Sequence, residues 1–255
     1  MKKNRCDPPL TGSVFGRRGS LSAPDCIHKG DISMKRSEVN QYIKQAETAF
    51  AAAGFVLPPF SRIPAEKWAH LGPEYDEIRD RMLGWDITDF GKGEYGKLGL
   101  LLFTLRNGDY TNPTSKTYAE KLMYVRAGQV TPMHFHWKKM EDIINRSGAP
   151  LAVQVYLSDE NEELSREDVP LQLDGFHTVV PAGTILRLEP GQSITMTRGL
   201  YHSFWGDGGD CIVGEVSMTN DDNGDNRFLE PMGRFSAIEE DEPAVYSLCN
   251  EYKRK

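Results

Sequence analysis

The feature that most constrains the fold is a series of short β-type segments between Leu98 and Met218. Each segment is rich in β-branched or aromatic residues and is ended by a turn containing Gly, Pro or Asp. The segments read LGLLLFTLRNG, EKLMYVRAGQ, EDIINR, LAVQVYLS, FHTVVPAG, TILRLEPGQ, SITMTRG, YHSFWG and CIVGEV. No long helical pattern separates them, which argues against a parallel βαβ sheet. The pattern predicts an antiparallel sandwich or barrel.

Helical periodicity precedes this series. Apolar residues at helical spacing predict a first helix, and they are Val39, Ile43, Ala46 and Phe50. Ser37 is the N-cap candidate, and Gly54 ends the pattern. Two shorter helices are predicted at 65–71 and 74–83, each after a proline, and the glycine-rich stretch 84–99 is predicted as turns.

These patterns predict one domain over residues 34–255. It would comprise a helical part (34–96), a β-barrel with the candidate site (97–218), and a polar C-terminal segment (219–255) lying over the barrel. Residues 1–33 are rich in Gly, Pro, Ser and Arg and lack apolar periodicity. We therefore expect a disordered leader or upstream extension there, and the absence of an apolar stretch argues against a secretory signal.

Composition limits the partners and the compartment. A net charge of −7 and a pI of about 5.5 argue against nucleic acid or an anionic membrane as partner. The sequence has no unbroken apolar run of the length that a membrane helix needs. The four cysteines form no C-x-x-C pair, which favours reduced thiols and a cytoplasmic location.

The stretch GQVTPMHFHWKKMEDIINRSG, at 128–148, contains candidate metal ligands. Residues two apart on a strand point to the same face, so His134 and His136 can reach one point inside a barrel. Glu141 follows a short turn and begins the next segment, so a hairpin can return its carboxylate to the histidine pair. The combination favours a metal site over isolated surface or hydrogen-bonded core histidines.

This stretch resembles the first cupin motif, G-x5-H-x-H-x3–4-E-x6-G, at every position. The second motif, G-x5-P-x-G-x2-H-x3-N, is similar to residues 191–206, where Thr197 replaces the proline and Gly206 the asparagine. The resemblance implies a mainly β fold, the cupin double-stranded β-helix or jelly-roll barrel, with the N-terminal helices packed outside. The implied ligands of one divalent cation are His134, His136, Glu141 and His202. Nitrogen and oxygen ligands without thiolate suit Mn²⁺, Fe²⁺, Co²⁺, Ni²⁺ or Zn²⁺.

The ligand set alone leaves three functions open. An Fe²⁺ site can serve a dioxygenase, a Lewis-acid site can serve proton transfer, and a cupin can bind a sugar or store a metal without catalysis. Proton transfer needs a base near the ion, and Glu215 in CIVGEVSM and Lys121 in EKLMYVRAG are the candidates. Strand alternation leaves an inward and an outward orientation equally open for both side chains.

From Met34 onward the sequence is similar to the D-lyxose isomerase family of bacterial, cupin-type aldose–ketose isomerases. The matching stretches include the opening helix, EYDEIRDRMLGWDITDFG, EKLMYVRAGQVTPMHFHWKKMEDIINR and EVSMTNDDNGDNRFLEPMGRF. The resemblance implies interconversion of D-lyxose with D-xylulose, and less readily of D-mannose with D-fructose. It also implies Mn²⁺ as the cation and a homodimer.

For such a reaction we expect Glu215 to move a proton between C2 and C1 through a cis-enediolate that Lys121 helps to stabilise. A metal-promoted hydride shift is the competing route. The polar stretch NDDNGDNRF supplies Asp225 and Arg227 as candidates for contacts to sugar hydroxyls, with a solvated loop as the alternative.

Overall fold

A computed structural model describes residues 34–254. The leader predicted at 1–33 lies outside the described residues. The α-helices are α1 (Arg36–Ala52) and α2 (Asp76–Asp80), and 3-10 helices span Pro59–Arg62, Ala65–His70 and Pro73–Tyr75. The strands are β1 (Met34–Lys35), β2 (Gly84–Thr88), β3 (Leu100–Arg106), β4 (Tyr118–Val125), β5 (Val130–Phe135), β6 (Glu141–Gly148), β7 (Leu151–Leu157), β8 (Val169–Leu173), β9 (Phe176–Val180), β10 (Ile185–Leu188), β11 (Ser193–Met196), β12 (Leu200–Gly206), β13 (Cys211–Met218), β14 (Arg227–Phe228) and β15 (Ile238–Glu239).

The described strands form two large sheets and one small one. The strand order is β10-β7-β12-β5-β14 in the five-stranded sheet and β2-β3-β4-β13-β6-β11-β8-β9 in the eight-stranded sheet. Strand pairing within both is antiparallel, whereas β1 and β15 form a short parallel pair. This arrangement confirms the prediction of a mainly β, antiparallel architecture.

The first hydrophobic core lies between the inner faces of the two large sheets. Leu102 and Met123 contribute from the eight-stranded sheet, and Val153 and Phe204 contribute from the five-stranded sheet. Each of these side chains is at most 3% exposed. The candidate site lies at this inner face, so its charged groups are surrounded by apolar walls.

A second core packs α1 against the outer face of the eight-stranded sheet. Val39, Ile43 and Phe50 form the buried stripe of α1 and join Trp85 of β2 and Phe103 of β3 in one cluster. Because neighbouring side chains on a strand point to opposite faces, β3 contributes to both cores. That explains its unbroken apolar run, and it confirms the prediction that α1 packs outside the barrel.

Two local predictions are wrong. Helix α1 begins at Arg36, and the N–H and hydroxyl of Ser37 donate to the Asp241 carboxylate instead of Ser37 capping the helix. The stretch 84–99 is not all turns, because Gly84–Thr88 forms β2 and is buried on both faces, which conceals the alternation of an ordinary strand. Among the described residues, no helix combines the length and apolar character required to cross a membrane.

Candidate active site

Three histidines converge on the inner face of the five-stranded sheet. His134 on β5 and His202 on β12 are directly paired across the ladder, and His136 follows His134 by two residues. All three side chains are buried, and one ring nitrogen from each lies within 4.8 Å of the others. This group could bind a metal ion.

A backbone carbonyl orients each imidazole. The acceptors of the Nδ1–H groups are the carbonyl of Pro132 for His134 (2.7 Å), of Asp225 for His136 (2.7 Å) and of Leu200 for His202 (3.0 Å). Since a carbonyl oxygen can only accept, each Nδ1 carries the proton and each Nε2 presents a lone pair. Histidines that bind metals through Nε2 are commonly held this way.

Glu141, the first residue of β6, completes the predicted ligand set. Its Oε1 lies 3.4 Å from Nε2 of His136 and 3.2 Å from Nε2 of His202. The Nε2 of His202 is buried and has no hydrogen-bond partner within residues 34–254. Lone pairs on nitrogen and oxygen that face each other in a dry site repel unless a cation lies between them, so the donor set fits a divalent metal.

Burial favours the neutral, ligating form of His134. Desolvation holds the pKa of His134 well below its ordinary value, and the neighbouring His202 and His136 lower it further. Uncharged imidazole is the form that coordinates metal ions.

The predicted base and the predicted lysine also face this site. Lys121 of β4 and Glu215 of β13 are directly paired in the ladder, and Lys121 Nζ lies 3.3 Å from Glu215 Oε1. Each is only 5% exposed, and both line the same cavity as His134 and Glu141. The structure therefore resolves the orientation that strand alternation left open, while their catalytic roles remain predictions.

Lys139 is a member of the site that the sequence interpretation missed. Its buried Nζ lies 2.6 Å from Glu141 Oε2 and donates to Glu215 Oε1 at 2.9 Å, so it joins the carboxylate of Glu141 to the candidate base. Burial opposes the charge of Lys139, but the carboxylates of Glu141 and Glu215 outweigh it and raise the pKa of Lys139. Burial likewise raises the pKa of Glu141, but Lys139 and His136 prevail and hold that pKa well below its usual range. The spacing of Lys139 two residues before Glu141 was the available signal.

Asn220 holds the two lysine ammonium groups together. Its Oδ1 accepts from Lys121 Nζ at 2.9 Å and from Lys139 Nζ at 3.1 Å. The backbone of Asn220 is fixed by the Asn107 side chain, which accepts from the Asn220 N–H and donates to its carbonyl. Nothing in the local sequence marks Asn220, because its partners are distant along the chain.

The structure does not bring the two candidate sugar-binding residues to the cavity wall. The Asp225 carboxylate accepts the backbone N–H groups of Lys138 and Lys139 at 2.8 and 2.9 Å, and thereby fixes the turn between β5 and β6. The Arg227 guanidinium pairs with Glu162 at 3.1 Å. Neither residue lines the cavity, and their part in sugar binding remains an untested prediction.

One cavity joins these groups. Its polar lining comprises Lys121, Thr131, His134, His136, Lys139, Glu141, Glu215, Asp222, Asn226 and Arg234. Its apolar lining comprises Phe90, Leu100, Leu102, Met123, Ile143, Phe204 and Phe228. Polar groups that converge between apolar walls are a common form of a small-molecule site.

Solved L-ribose isomerases share this fold. The L-ribose isomerase of Acinetobacter sp. DL28, in complex with L-ribose, aligns with a TM-score of 0.57 over 83% of this chain and 100% of that chain, at 16% identity. The L-ribose isomerase of Geodermatophilus obscurus aligns with a TM-score of 0.53 over 82% and 99%, at 17% identity. Likeness at this identity shows the fold alone, and it confirms the cupin prediction.

Fold and site together define a cupin with a buried histidine group that could bind a metal. Within that class, a family model described as D-lyxose isomerase matches residues 34–252, and the chain belongs to this family. A D-lyxose/D-mannose isomerase of Serratia proteamaculans is 49% identical over 225 residues, which are 87% of this chain and 99% of the relative. A D-lyxose/D-mannose isomerase of Escherichia coli O157:H7 is 48% identical over the same shares. The chain is therefore an aldose–ketose sugar isomerase.

Proposed function

We propose that the protein interconverts D-lyxose and D-xylulose, and less readily D-mannose and D-fructose, with one bound divalent cation. The names of the relatives at 48–49% identity support this choice of sugars. The observation that carries the reaction type is the position of Glu215, a buried carboxylate between two lysines in the cavity of the histidine group.

His134, His136, His202 and Glu141 would hold the cation. We propose Mn²⁺, while Co²⁺, Fe²⁺, Ni²⁺ or Zn²⁺ also suit nitrogen and oxygen donors. When bound, such an ion supplies a Lewis acid that polarises the oxygens on C1 and C2 of an open-chain sugar.

Glu215 is the proposed base. Its carboxylate removes the C2 proton of the aldose and returns that proton to C1, while the O2 hydroxyl proton passes to O1, so that the ketose forms through a cis-enediolate. Lys121 and Lys139 would donate hydrogen bonds to the oxygen on which negative charge develops, because both ammonium groups lie within 3.3 Å of Glu215 Oε1.

The apolar wall around these groups excludes water. Phe90, Phe204 and Phe228 line the cavity together with four aliphatic side chains. In such surroundings the fixed charges act more strongly than they would in water, and an enediolate is protected from side reactions. We also expect a homodimer in the cytoplasm, which light scattering and cell fractionation would test.

The test is ¹³C NMR of metal-loaded protein with C1-labelled D-lyxose in an anaerobic tube. We expect D-xylulose signals that EDTA abolishes and Mn²⁺ restores. Oxygen-dependent consumption of the sugar would favour the dioxygenase alternative. Binding of D-lyxose with no change in its spectrum would favour a non-catalytic cupin.

A further inference from the structure

A row of charged side chains, each at most 14% exposed, continues from Glu215 along the cavity. Lys121 Nζ lies 3.9 Å from Asp222 Oδ1, and Asp222 Oδ1 lies 3.2 Å from Nη2 of Arg234. The same Nη2 donates to Asp86 Oδ2 at 2.6 Å. Lys121 and Asp222 thus lie between Glu215 and Arg234, and Arg234 lines the same cavity.

Arg234 is held rigidly between two carboxylates from separate parts of the chain. Asp86 belongs to β2 and is 1% exposed, whereas Asp222 follows β13. The segment that carries Arg234 is fixed by the Gly233 N–H, which donates to the Phe90 carbonyl at 3.2 Å. Burial opposes the charge of Arg234, but Asp222 and Asp86 outweigh it and hold the pKa of Arg234 above its ordinary value. Its guanidinium is therefore a fixed, charged fork.

One nitrogen of the Arg234 guanidinium has no hydrogen-bond partner in the described part of the chain. The Nη1 of Arg234 is buried and makes no hydrogen bond within residues 34–254. A buried N–H without an acceptor is unfavourable, so the position suits an oxygen that enters with a ligand. The two carboxylates of Asp86 and Asp222 already more than balance the single positive charge of Arg234. The free N–H therefore favours a neutral hydroxyl over a phosphate or carboxylate.

We infer that Arg234 is a specificity-determining residue whose Nη1 donates to the terminal hydroxyl of an unphosphorylated open-chain sugar. The inference rests on the proposed function, because that function places C1 and C2 beside Glu215, and the row of charges leads from Glu215 through Lys121 and Asp222 to Arg234.

The test is a cycle of one enzyme change and one substrate change. Wild type and Arg234→Met are compared on D-lyxose and on 5-deoxy-D-lyxose, which lacks the terminal hydroxyl. Loss of a hydrogen bond to a charged group predicts a fall in kcat/KM of about 10- to 100-fold for either change alone. The two losses should not multiply when both changes are made. Differences in the open-chain fraction of the sugars cancel within the cycle.

Two further variants separate recognition from folding. Arg234→Lys keeps the charge between the carboxylates but loses the planar fork, so it should stay folded. Like Arg234→Met, it should have similar kcat/KM values for D-lyxose and 5-deoxy-D-lyxose. Arg36→Met is the matched control, because Arg36 is a buried guanidinium between Glu240 and Glu251 in another part of the protein. It should lower stability but keep the wild-type discrimination between the sugars.

Equal losses on both sugars in Arg234→Met and Arg234→Lys would overturn the inference, since they would mark a purely structural role. Calorimetric binding of both sugars to metal-loaded Glu215→Gln, with and without Arg234→Lys, repeats the cycle without turnover. Failure of wild type to convert D-lyxose would therefore contradict the proposed function alone. Equal affinity of the Glu215→Gln protein for the two sugars would contradict the role of Arg234.

Discussion

The two large sheets contribute different chemistry to one cavity. The five-stranded sheet carries His134 and His202 and leads into His136, whereas the eight-stranded sheet carries Lys121, Glu141 and Glu215. The histidines are oriented by backbone carbonyls, and the charged groups of the other sheet are oriented mainly by one another.

The histidine part of the site should tolerate distant substitutions better than the charged part. The orienting carbonyl lies two residues before the histidine for both His134 and His202, so a short piece of strand is enough to prepare each ligand. The lysines and Glu215 depend on partners distant along the chain, so a change to one of them disturbs the others. We therefore expect metal binding and proton transfer to respond to different substitutions.

We expect the greatest change in the turnover of Glu215→Gln. Removal of the base should lower kcat by about 10³-fold, within the range for general acid–base catalysis, while the affinity for Mn²⁺ changes little. Stopped-flow kinetics and calorimetry would measure the two quantities. Ser217→Ala is the control, because Ser217 lies two residues further on the same strand and its hydroxyl donates to the Met218 carbonyl. Full activity in Glu215→Gln would remove Glu215 as the base.

Next in size is the loss of Mn²⁺ affinity in His202→Ala. The Kd should rise about 100-fold or more, since even loss of a group that supports a ligand costs 10- to 100-fold. Turnover of D-lyxose should recover in part as Mn²⁺ is raised. His177→Ala, an exposed histidine on β9, should bind Mn²⁺ like wild type. An unchanged Kd in His202→Ala would separate His202 from the metal site.

A smaller effect is expected on the pH dependence of stability in Asp222→Asn. Burial raises the pKa of Asp222, but Arg234 and Lys121 outweigh it and hold that pKa below its ordinary value. A depressed pKa stabilises the fold above the unfolded value of about 4 and loses that contribution as the pH falls below it. Asp222→Asn should therefore be about 2 kcal/mol less stable at pH 7, with a smaller deficit near pH 3.

Urea unfolding of both proteins at pH 7, 4 and 3 would measure this difference. A deficit that stays constant over these pH values would show that the Asp222 charge contributes nothing to the fold.

The smallest effect is expected in Asp225→Asn. An amide offers one acceptor oxygen where the carboxylate offers two, so one N–H of the Lys138–Lys139 pair loses its partner, at about 1 kcal/mol in the free energy of unfolding. The Asp225 carbonyl still orients His136, so Mn²⁺ affinity should hold. A raised KM for D-lyxose at unchanged stability would instead support the sequence prediction that Asp225 contacts the sugar.

The sequence predicts the histidine half of the site well because the signal is local. The spacing of His134, His136 and Glu141 is short, and Gly148 explains the motif glycine, since its φ is +96° and a Cβ would lie 2.4 Å from the Asp210 carbonyl. Strand alternation identifies Glu215 as a candidate base but does not show whether its side chain faces the cavity. That orientation depends on which face of β13 is covered by the other sheet.

The remaining groups could not be predicted because long-range packing places them. Asn220 contacts Lys121, which is distant along the chain, and one partner of Arg234 is Asp86, on a strand that the sequence pattern does not reveal. Among the missed residues, Lys139 alone had a local signal, its spacing from Glu141. Strand β2 was missed for the same physical reason, since its two buried faces remove the alternation.

Solvent deuterium would show whether Glu215 carries a proton during the reaction. D-Lyxose would be converted in D₂O by Mn²⁺-loaded wild-type protein for many turnovers, and C1 of the D-xylulose would be examined by NMR. We predict deuterium at C1, because a carboxylate that holds the proton exchanges it with solvent between turnovers. Complete retention at C1 of the hydrogen that began on C2 would contradict the claim and indicate a hydride shift.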